Sequence, residues 1–403
     1  MDVTGTDPLR DWSYLSEGGA TIVFSYVGLD STYNGTVLRL RKLPRQNAVL
    51  SHLTTLSNID VQEEAKDDPS IAFQDVISNL IPRKHLPRLQ TVKLSSPWLE
   101  ALESVTDVHR PPERRANDGI DTFKRKGVLA TDLVGGNGWT VEIKPKWGFL
   151  PSSEHLSPTT RLLKTRHCRF CMHTYFRGTV ETSYCPLDLF SNDEARVRGA
   201  LRSLWEAWVA NGGKENNLRV FNKGKIVSPE DSSALPINLV PQFVDAISPL
   251  IMNSSLFSIL GDLQRTLDSL DIEGLSHLWS RSHPNIPLGR EEPEPTLAEW
   301  SDLIQTYLLG GEAALRYYTL SYLLSATFKD CSVMLRLQNA DDMAGNAEDT
   351  ISVIDLDPKS IHRLAKWEAL DREIVKKFAE VADQRKTCVD AQRQPPSDDG
   401  PMP

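Results

Sequence analysis

The sequence has few long hydrophobic runs. No stretch reaches the roughly 18–20 apolar residues that a membrane-spanning helix requires, so no membrane partner is expected. The opening "MDVTGTDPLRDW" has no apolar core of the kind that marks a secretory leader. Cysteine is sparse and odd in number: Cys168, Cys171, Cys185, Cys331 and Cys388 are the five in 403 residues. Such a set excludes a disulfide-stapled scaffold. It reads as reduced thiols in an intracellular chain, in nucleus, cytoplasm or both. A basic surplus is missing too, since 45 Lys and Arg face 54 Asp and Glu, a formal charge of −9. That balance argues against a non-specific nucleic-acid binder, yet leaves room for one local basic pocket. No segment recurs at a fixed period, which sets repeat architectures aside.

What is present is ordinary for a globular chain long enough for two packed lobes: 40% hydrophobic and 25% charged residues. The stretch "WSYLSEGGATIVFSYVGLDSTYNGTVLRLRK" (12–42) reads as strand, Gly-rich turn, strand, loop, strand, with Thr21–Val27 and Val37–Leu40 β-rich. Helical spacing recurs near 60–66 and 71–81, interrupted by Pro82 and Pro87. Residues 106–126 are polar and basic and read as a loop leading to Val128–Asp132, with "LVGGNG" (133–138) as a hinge. Helices are expected near 193–211, 240–268, 297–309 and 311–328. A long last helix is expected from about 359 to 386, and a disordered tail from 391 or 392 to 403. The order is β-rich first and helix-rich later. It predicts a mixed α/β chain with a smaller N-terminal lobe (1–132) and a larger C-terminal lobe (133–390).

Cys331–Leu337 and Thr350–Ile354 read as two strands of an antiparallel hairpin. Pairing them places Asp330 beside Asp355, although 25 residues separate the two. Two carboxylates at one end of a hairpin suit metal-assisted phosphoryl transfer, one holding Mg²⁺ and the other orienting or deprotonating an attacking hydroxyl. The plainer alternative is a turn cap and a strand end. On the expected last helix, Lys359, Arg363 and Trp367 fall at i, i+4 and i+8 and share a face near those aspartates. The alternative there is a solvated amphipathic helix.

In "VEIKPKWGFLP" (141–151), strand geometry sends Glu142, Lys144 and Lys146 one way and Val141 and Ile143 the other. Two lysines on one face repel unless an anion lies between them. Pro145 lacks an N–H, which marks an edge, a bulge or a strand end. The stretch is either an anion site or a charged edge strand.

Several stretches together resemble the inositol-pentakisphosphate 2-kinases, in a divergent, fungal-like form. They are "EIKPKWGFLP" (142–151), "RFCMH" (169–173), "YCPLDLFS" (184–191), "NNLRVF" (216–221), "KDCSVM" (329–334) and "DLDPK" (355–359), with "EGGATIV" (17–23) in the position of a nucleotide loop. The resemblance covers about residues 12–380. It implies a two-lobed, protein-kinase-like fold with a larger helical-plus-hairpin C-lobe. It also implies a monomeric enzyme that uses ATP and Mg²⁺ to phosphorylate the 2-hydroxyl of inositol 1,3,4,5,6-pentakisphosphate, giving the hexakisphosphate, phytate. By the same resemblance Asp330 is the catalytic aspartate, with Lys144 beside it, and Asp355 is the Mg²⁺ ligand. Gly18, Gly19, Ala20, Arg39, Asp132 and Arg219 fall on the nucleotide side. Arg115, Lys144, Lys146, Arg169, Asn216, Asn217, Lys359, Arg363 and Trp367 fall on the substrate side. Arg114 stands next to Arg115 in "ERRAN" (113–117), and either can be the interlobe arginine.

Plant members carry a Cys/His zinc site in the C-terminal lobe, but residues 218–330 contain no cysteine, so that zinc is not carried over. His167, Cys168, Cys171, His173 and Cys185 have a Cys-x2-Cys spacing that zinc accepts. Because these residues lie within a family motif, the expectation here is buried thiols. No "HRD" or "DFG" triplet stands where a protein kinase needs one. A non-catalytic inositol-phosphate-binding module or another small-molecule kinase remains the competing reading.

Overall fold

The computed structural model describes residues 1–45, 68–136, 138–178, 183–214, 217–230, 239–311, 313–337 and 350–392. The expected helix at 60–66 and the tail from 393 onward lie outside them.

Two antiparallel sheets organise the chain. The first contains β1 (Trp12–Glu17), β2 (Thr21–Tyr26), β3 (Thr36–Pro44), β4 (Leu89–Lys93), β5 (Asp118–Ile120) and β6 (Lys126–Thr131), in the order β1-β2-β3-β6-β4, with β5 on the end of β3. Alternation explains its buried face: Ile22 and Phe24 on β2 meet Leu38 and Leu40 on β3. Trp12, Trp98, Leu99 and Leu102 close the same core.

The second sheet contains β7 (Trp139–Ile143), β8 (Leu218–Asn222), β9 (Lys225–Val227), β10 (Ser332–Leu337) and β11 (Thr350–Ile354), in the order β11-β10-β7-β8-β9. The expected hairpin forms, with Ser332 opposite Ile354 and Val333 opposite Val353. Val141, Ile143, Val333 and Leu335 send their side chains into a large core that the later helices complete. Helix Pro69–Ile77 belongs to that larger core although it comes early in the chain, and Phe73 meets Trp300 edge-on at 5.6 Å between ring centres.

The structure differs from the sequence expectation at three places. The 106–126 stretch is not a loop: it folds as a 3-10 turn (Asp107–His109), a helix (Pro112–Asn117) and β5. The cause is Arg110, 3% exposed, whose guanidinium is bonded to Glu17 on β1 and to Asp118. The 240–268 helix is two helices, Leu239–Met252 and Leu256–Leu267. Polar "NSS" (253–255) breaks it, with the Ser254 hydroxyl accepting from the Leu256 N–H at 3.1 Å. The last helix runs only over Leu364–Ala379, preceded by a 3-10 turn at Ile361–Arg363. Glu294 accepts the Ile361 N–H at 3.2 Å, which fixes the turn. Among the described residues, no single helix is long and apolar enough to cross a membrane.

Candidate active site

The ladder of β7 runs one bond past its end, where the Lys144 N–H donates to the Asn217 carbonyl (3.0 Å). Pro145 then stops it, since it has no N–H to give. Lys146 takes a left-handed backbone, φ 65°, which costs a non-glycine residue about 1–2 kcal/mol. Surrounding bonds hold this turn in place. The Tyr184 hydroxyl donates to the Pro145 carbonyl (3.0 Å), and the Gln264 amide donates to the Lys146 carbonyl (3.0 Å). Gln264 is fully buried; it also donates to the Phe328 carbonyl (3.0 Å) and accepts the Gly148 N–H (2.8 Å). One buried amide therefore ties the "KPKWG" turn to the end of helix Leu315–Lys329, two residues before Asp330.

Gly148 is required by close approach: a Cβ there would lie 2.5 Å from the Phe190 ring. Gly148→Ala is therefore expected to destabilise the protein by about 1–3 kcal/mol and to weaken substrate binding. Chemical denaturation and substrate titration of the variant check both.

The two aspartates meet the two lysines at this turn. Lys144 Nζ lies 3.0 Å from Asp355 Oδ2 and 2.8 Å from the Ser332 hydroxyl. That buried hydroxyl is 2.7 Å from Glu142 Oε1 and 3.1 Å from Asp355 Oδ2. Lys146 Nζ lies 3.6 Å from Asp330 Oδ1, and Lys359 Nζ donates to Asp330 Oδ2 at 2.8 Å. Asp355, like Lys146, has a left-handed backbone, φ 62°. Strain of this kind persists where the surroundings over-determine it, commonly at working sites.

Burial works against the Lys144 ammonium, but Asp355 and Glu142 outweigh it and raise its pKa. For Lys146, burial, and after it the charge of Lys144, outweighs the pull of Asp330 and lowers the pKa. The expected lysine–lysine repulsion is therefore real, and each ammonium is steadied by a carboxylate. Burial alone would raise the Asp330 pKa; the Lys359 hydrogen bond, with the charges of Lys359, Lys146 and Lys144, brings it below the usual value.

Of these groups Lys146, Asp330 and Lys359 line a cavity of about 680 Å³ whose lining contains nine lysines and arginines against four aspartates, while Lys144 and Asp355 stand outside that lining. A chain with formal charge −9 thus concentrates positive charge in one concave place. Lys146, Arg169, Asn217, Lys359, Arg363 and Trp367 all line it. Lys359, Arg363 and Trp367 do so without sharing a helix. Lys359 is in the extended segment, Arg363 ends the 3-10 turn and Trp367 is on the final helix, with the Arg363 guanidinium 5.8 Å from its ring. Trp147, in the variable position of its motif, carries the Arg169 guanidinium 5.9 Å from its ring centre, while Asp371 binds Arg169 Nε at 2.9 Å.

Other expected residues lie elsewhere. Arg115 is outside this lining, and its carbonyl accepts from Arg45 Nε (2.7 Å). Arg114 donates to the Gly18 carbonyl (2.8 Å), which places it on the β1–β2 turn with Gly19 and Ala20. Arg39 is on β3, between Val23 and Val128. The Asp132 carboxylate accepts the Val134 and Gly135 N–H groups (2.9 and 2.7 Å) and so builds the turn after β6. Arg219, beside Glu142 in the sheet, bonds it at 3.3 Å. Asn216 lies outside the described residues.

Sequence reasoning missed several parts of the site. Gln264 and Ser332 carry no local signal. Lys366, three residues after Arg363, could have been found from i, i+3 spacing. An apolar cluster of Val134, Phe221 and Met334, flanked by Leu15, Leu133 and Ile354, joins β1 to the second sheet beside the turn that follows Asp132.

His173, also on the cavity wall, has its pKa lowered to about 4 by burial and then by Arg169, Arg177 and Lys146. A bound polyanion offsets those cations, so the His173 pKa is expected to rise when a small polyphosphate binds. Histidine-resolved NMR titration with and without ligand checks this; an unmoved His173 would place the polyanion elsewhere.

Two groups of side chains suit metals. Asp355 keeps a half-exposed carboxylate with Oδ2 engaged by Lys144 and Ser332. With Asp330 nearby, it is a hard-oxygen donor set that fits Mg²⁺ together with nucleotide phosphates. Separately, the sulfurs of Cys168, Cys171, Cys185 and Cys388 converge. Neither histidine of the sequence-stretch candidates joins them, and His173 Nε2 accepts from Arg177.

The family model described as inositol-pentakisphosphate 2-kinase matches residues 14–373. A protein of that name from Cryptococcus neoformans var. neoformans serotype D is 36% identical over 405 residues, covering 93% of this chain and 95% of the relative. One from Arabidopsis thaliana is 27% identical over 430 residues, covering 91% and 92%. One from Danio rerio is 31% identical over 236 residues, covering 54% of this chain and 44% of the relative.

Proposed function

The chain belongs to the inositol-pentakisphosphate 2-kinase family, and from that premise we propose that it transfers the ATP γ-phosphate to the 2-hydroxyl of inositol 1,3,4,5,6-pentakisphosphate. The observation that carries the reading is the pair Asp330 and Asp355, held by Lys146 and Lys144, with Asp330 and Lys146 on the wall of a strongly basic cavity.

The first sheet with its own core forms an N-lobe, and the second sheet with the later helices forms a C-lobe, in the manner of a protein kinase. The nucleotide base rests on the apolar cluster of Val134, Phe221 and Met334, which the hinge and β1 border. The β1–β2 turn, Gly18 to Ala20, covers its phosphates. Asp355 would hold Mg²⁺, which when bound would neutralise nucleotide phosphate charge.

Asp330 accepts the proton of the 2-hydroxyl as it attacks. Lys144 and Lys146 exchange their carboxylate partners for phosphate oxygens as substrate arrives. The gain is greatest for Lys146, whose burial and crowding by Lys144 have no full answer in the free protein. Arg169, Lys359 and Arg363 bind further phosphates, with arginine offering a bidentate fork. Selectivity follows from pairing phosphate by phosphate, since a buried cation left without its anion is unfavourable.

The direct test incubates purified protein with Mg·ATP and inositol 1,3,4,5,6-pentakisphosphate and separates products by anion exchange. Hexakisphosphate and ADP are expected in equal amounts. Binding without turnover would favour a non-catalytic module, and no binding would sink the assignment.

A further inference from the structure

Gln264, in helix Leu256–Leu267, carries an amide with no exposure to solvent, and a buried amide needs its hydrogen bonds met. Its Nε2 donates to the Lys146 and Phe328 carbonyls, both at 3.0 Å, and its Oε1 accepts the Gly148 N–H at 2.8 Å. Two donors and one acceptor fit only one orientation of the amide plane. The partners lie 118, 64 and 116 residues away in sequence, so none is a neighbour on the same helix.

We propose, on the reading of Asp330 as the base and Lys146 as a phosphate-binding cation, that Gln264 is a positioning residue for phosphoryl transfer, holding the Lys146 turn and the approach to Asp330 as one unit.

The geometry favours positioning over plain packing. Lys146 has a left-handed backbone, which a non-glycine residue keeps only under restraint. Gln264 grips that turn on both sides of Trp147, at the Lys146 carbonyl and at the Gly148 N–H. Its second donor grips the Phe328 carbonyl, two residues before Asp330. The Lys146 ammonium stands 3.6 Å from the Asp330 carboxylate, and that separation follows from where the two backbones are pinned. An apolar side chain of the same size would leave two carbonyls and one N–H unpaired and the turn free to relax.

The same helix supplies a second strut. Asp268 follows four residues later at the helix end and pairs with Lys329, the residue between Phe328 and Asp330. Positions i and i+4 share a helix face, and both members of the pair are buried. The Lys329 ammonium also lies 5.1 Å from the ring centre of Phe149, the residue after Gly148. One helix face thus fixes both the lysine turn and the chain that leads into Asp330.

The test uses the full chain and three variants. Gln264→Met keeps a similar length and removes all three bonds. Gln264→Glu keeps the shape but sets acceptors against two carbonyls. Ser325→Ala removes a neighbouring bond, from the Ser325 hydroxyl to the Gln264 carbonyl (2.7 Å), without touching the amide. In both Gln264 variants kcat with Mg·ATP and inositol pentakisphosphate is expected to fall by about 10²-fold, the effect of a misplacement of roughly 1 Å. KM for inositol pentakisphosphate is expected to change only a few-fold, because Arg169, Lys359 and Arg363 still hold phosphates. Ser325→Ala is expected to lower the thermal midpoint and leave kcat unchanged, which separates lost stability from lost position. Hydrogen exchange needs no turnover: the amides of residues 146–150 are expected to exchange faster in both Gln264 variants than in wild type or Ser325→Ala. A wild type without turnover would sink the kinase reading, while the exchange data would still decide whether Gln264 holds the turn. Gln264 variants with wild-type kcat, or with a loss that only tracks the folded fraction, would overturn the proposal. So would unchanged exchange at 146–150, or failure of both Gln264 variants to fold, which would make Gln264 a core residue.

Discussion

Asp330→Asn is expected to lower turnover by roughly 10²–10⁴-fold, the usual contribution of a positioned general base, while inositol pentakisphosphate still binds. The amide keeps the shape and loses the proton acceptor. Lys146 and Lys359 lose a charged partner at the same time, but the Asp330 side chain is about half exposed, so the fold should tolerate the change. The pH profile separates chemistry from binding. The Asp330 pKa lies below the usual carboxylate value because the lysines outweigh burial. Wild-type activity should therefore persist into mildly acidic solution and fall only as pH drops through that lowered pKa. The residual activity of the variant should lack that acidic limb. Steady-state turnover and calorimetric binding on the two proteins give both readouts, and an Asn variant with wild-type turnover would remove Asp330 from the reaction.

Lys164→Met is expected to destabilise the protein by about 3–5 kcal/mol, the range seen when one partner of a buried ion pair is removed. The Lys164 side chain is 2% exposed and faces Asp271, Asp371 (2.8 Å) and Glu273 (3.5 Å). Burial disfavours its charge, but Asp271 and Asp371 prevail and raise its pKa above the ordinary lysine value. The sign follows from that shift. The stabilisation is complete below the unfolded lysine pKa of about 10.4 and is lost only as pH rises through the higher folded value. In the variant, the three carboxylates have no central cation. Its deficit should be largest at neutral pH and shrink in acid as Asp271, whose pKa burial raises, protonates. Asp371 also holds Arg169, so substrate affinity should fall as well. Urea unfolding at neutral and acid pH measures the first effect; equal stability of the two proteins at neutral pH would refute it.

The parts of the site legible in sequence are those written at short range. Alternation and a polar gap identify the β10–β11 hairpin, and pairing alone brings Asp330 to Asp355. Pro145 marks the strand end where Lys144 and Lys146 project. The helical 359–386 reading exceeds the real Leu364–Ala379 because spacing is blind to Glu294, whose carboxylate, supplied from a remote loop, fixes the 3-10 turn ahead of the helix. The 106–126 stretch looks like a loop because its order comes from Arg110 reaching Glu17, 93 residues away.

Sequence by itself determined the chemical inventory and local geometry: two aspartates, a proline-stopped lysine pair, basic residues after the hairpin and the order of family motifs. Tertiary structure alone decided which charges share a cavity, that Trp147 carries Arg169, that Gln264 joins the lysine turn to Asp330, and that Cys388 meets Cys168 from 220 residues away. The physical reason is range. Strand alternation and proline geometry are properties of adjacent residues, whereas burial, charge pairing and sulfur convergence depend on which distant segments the core brings together.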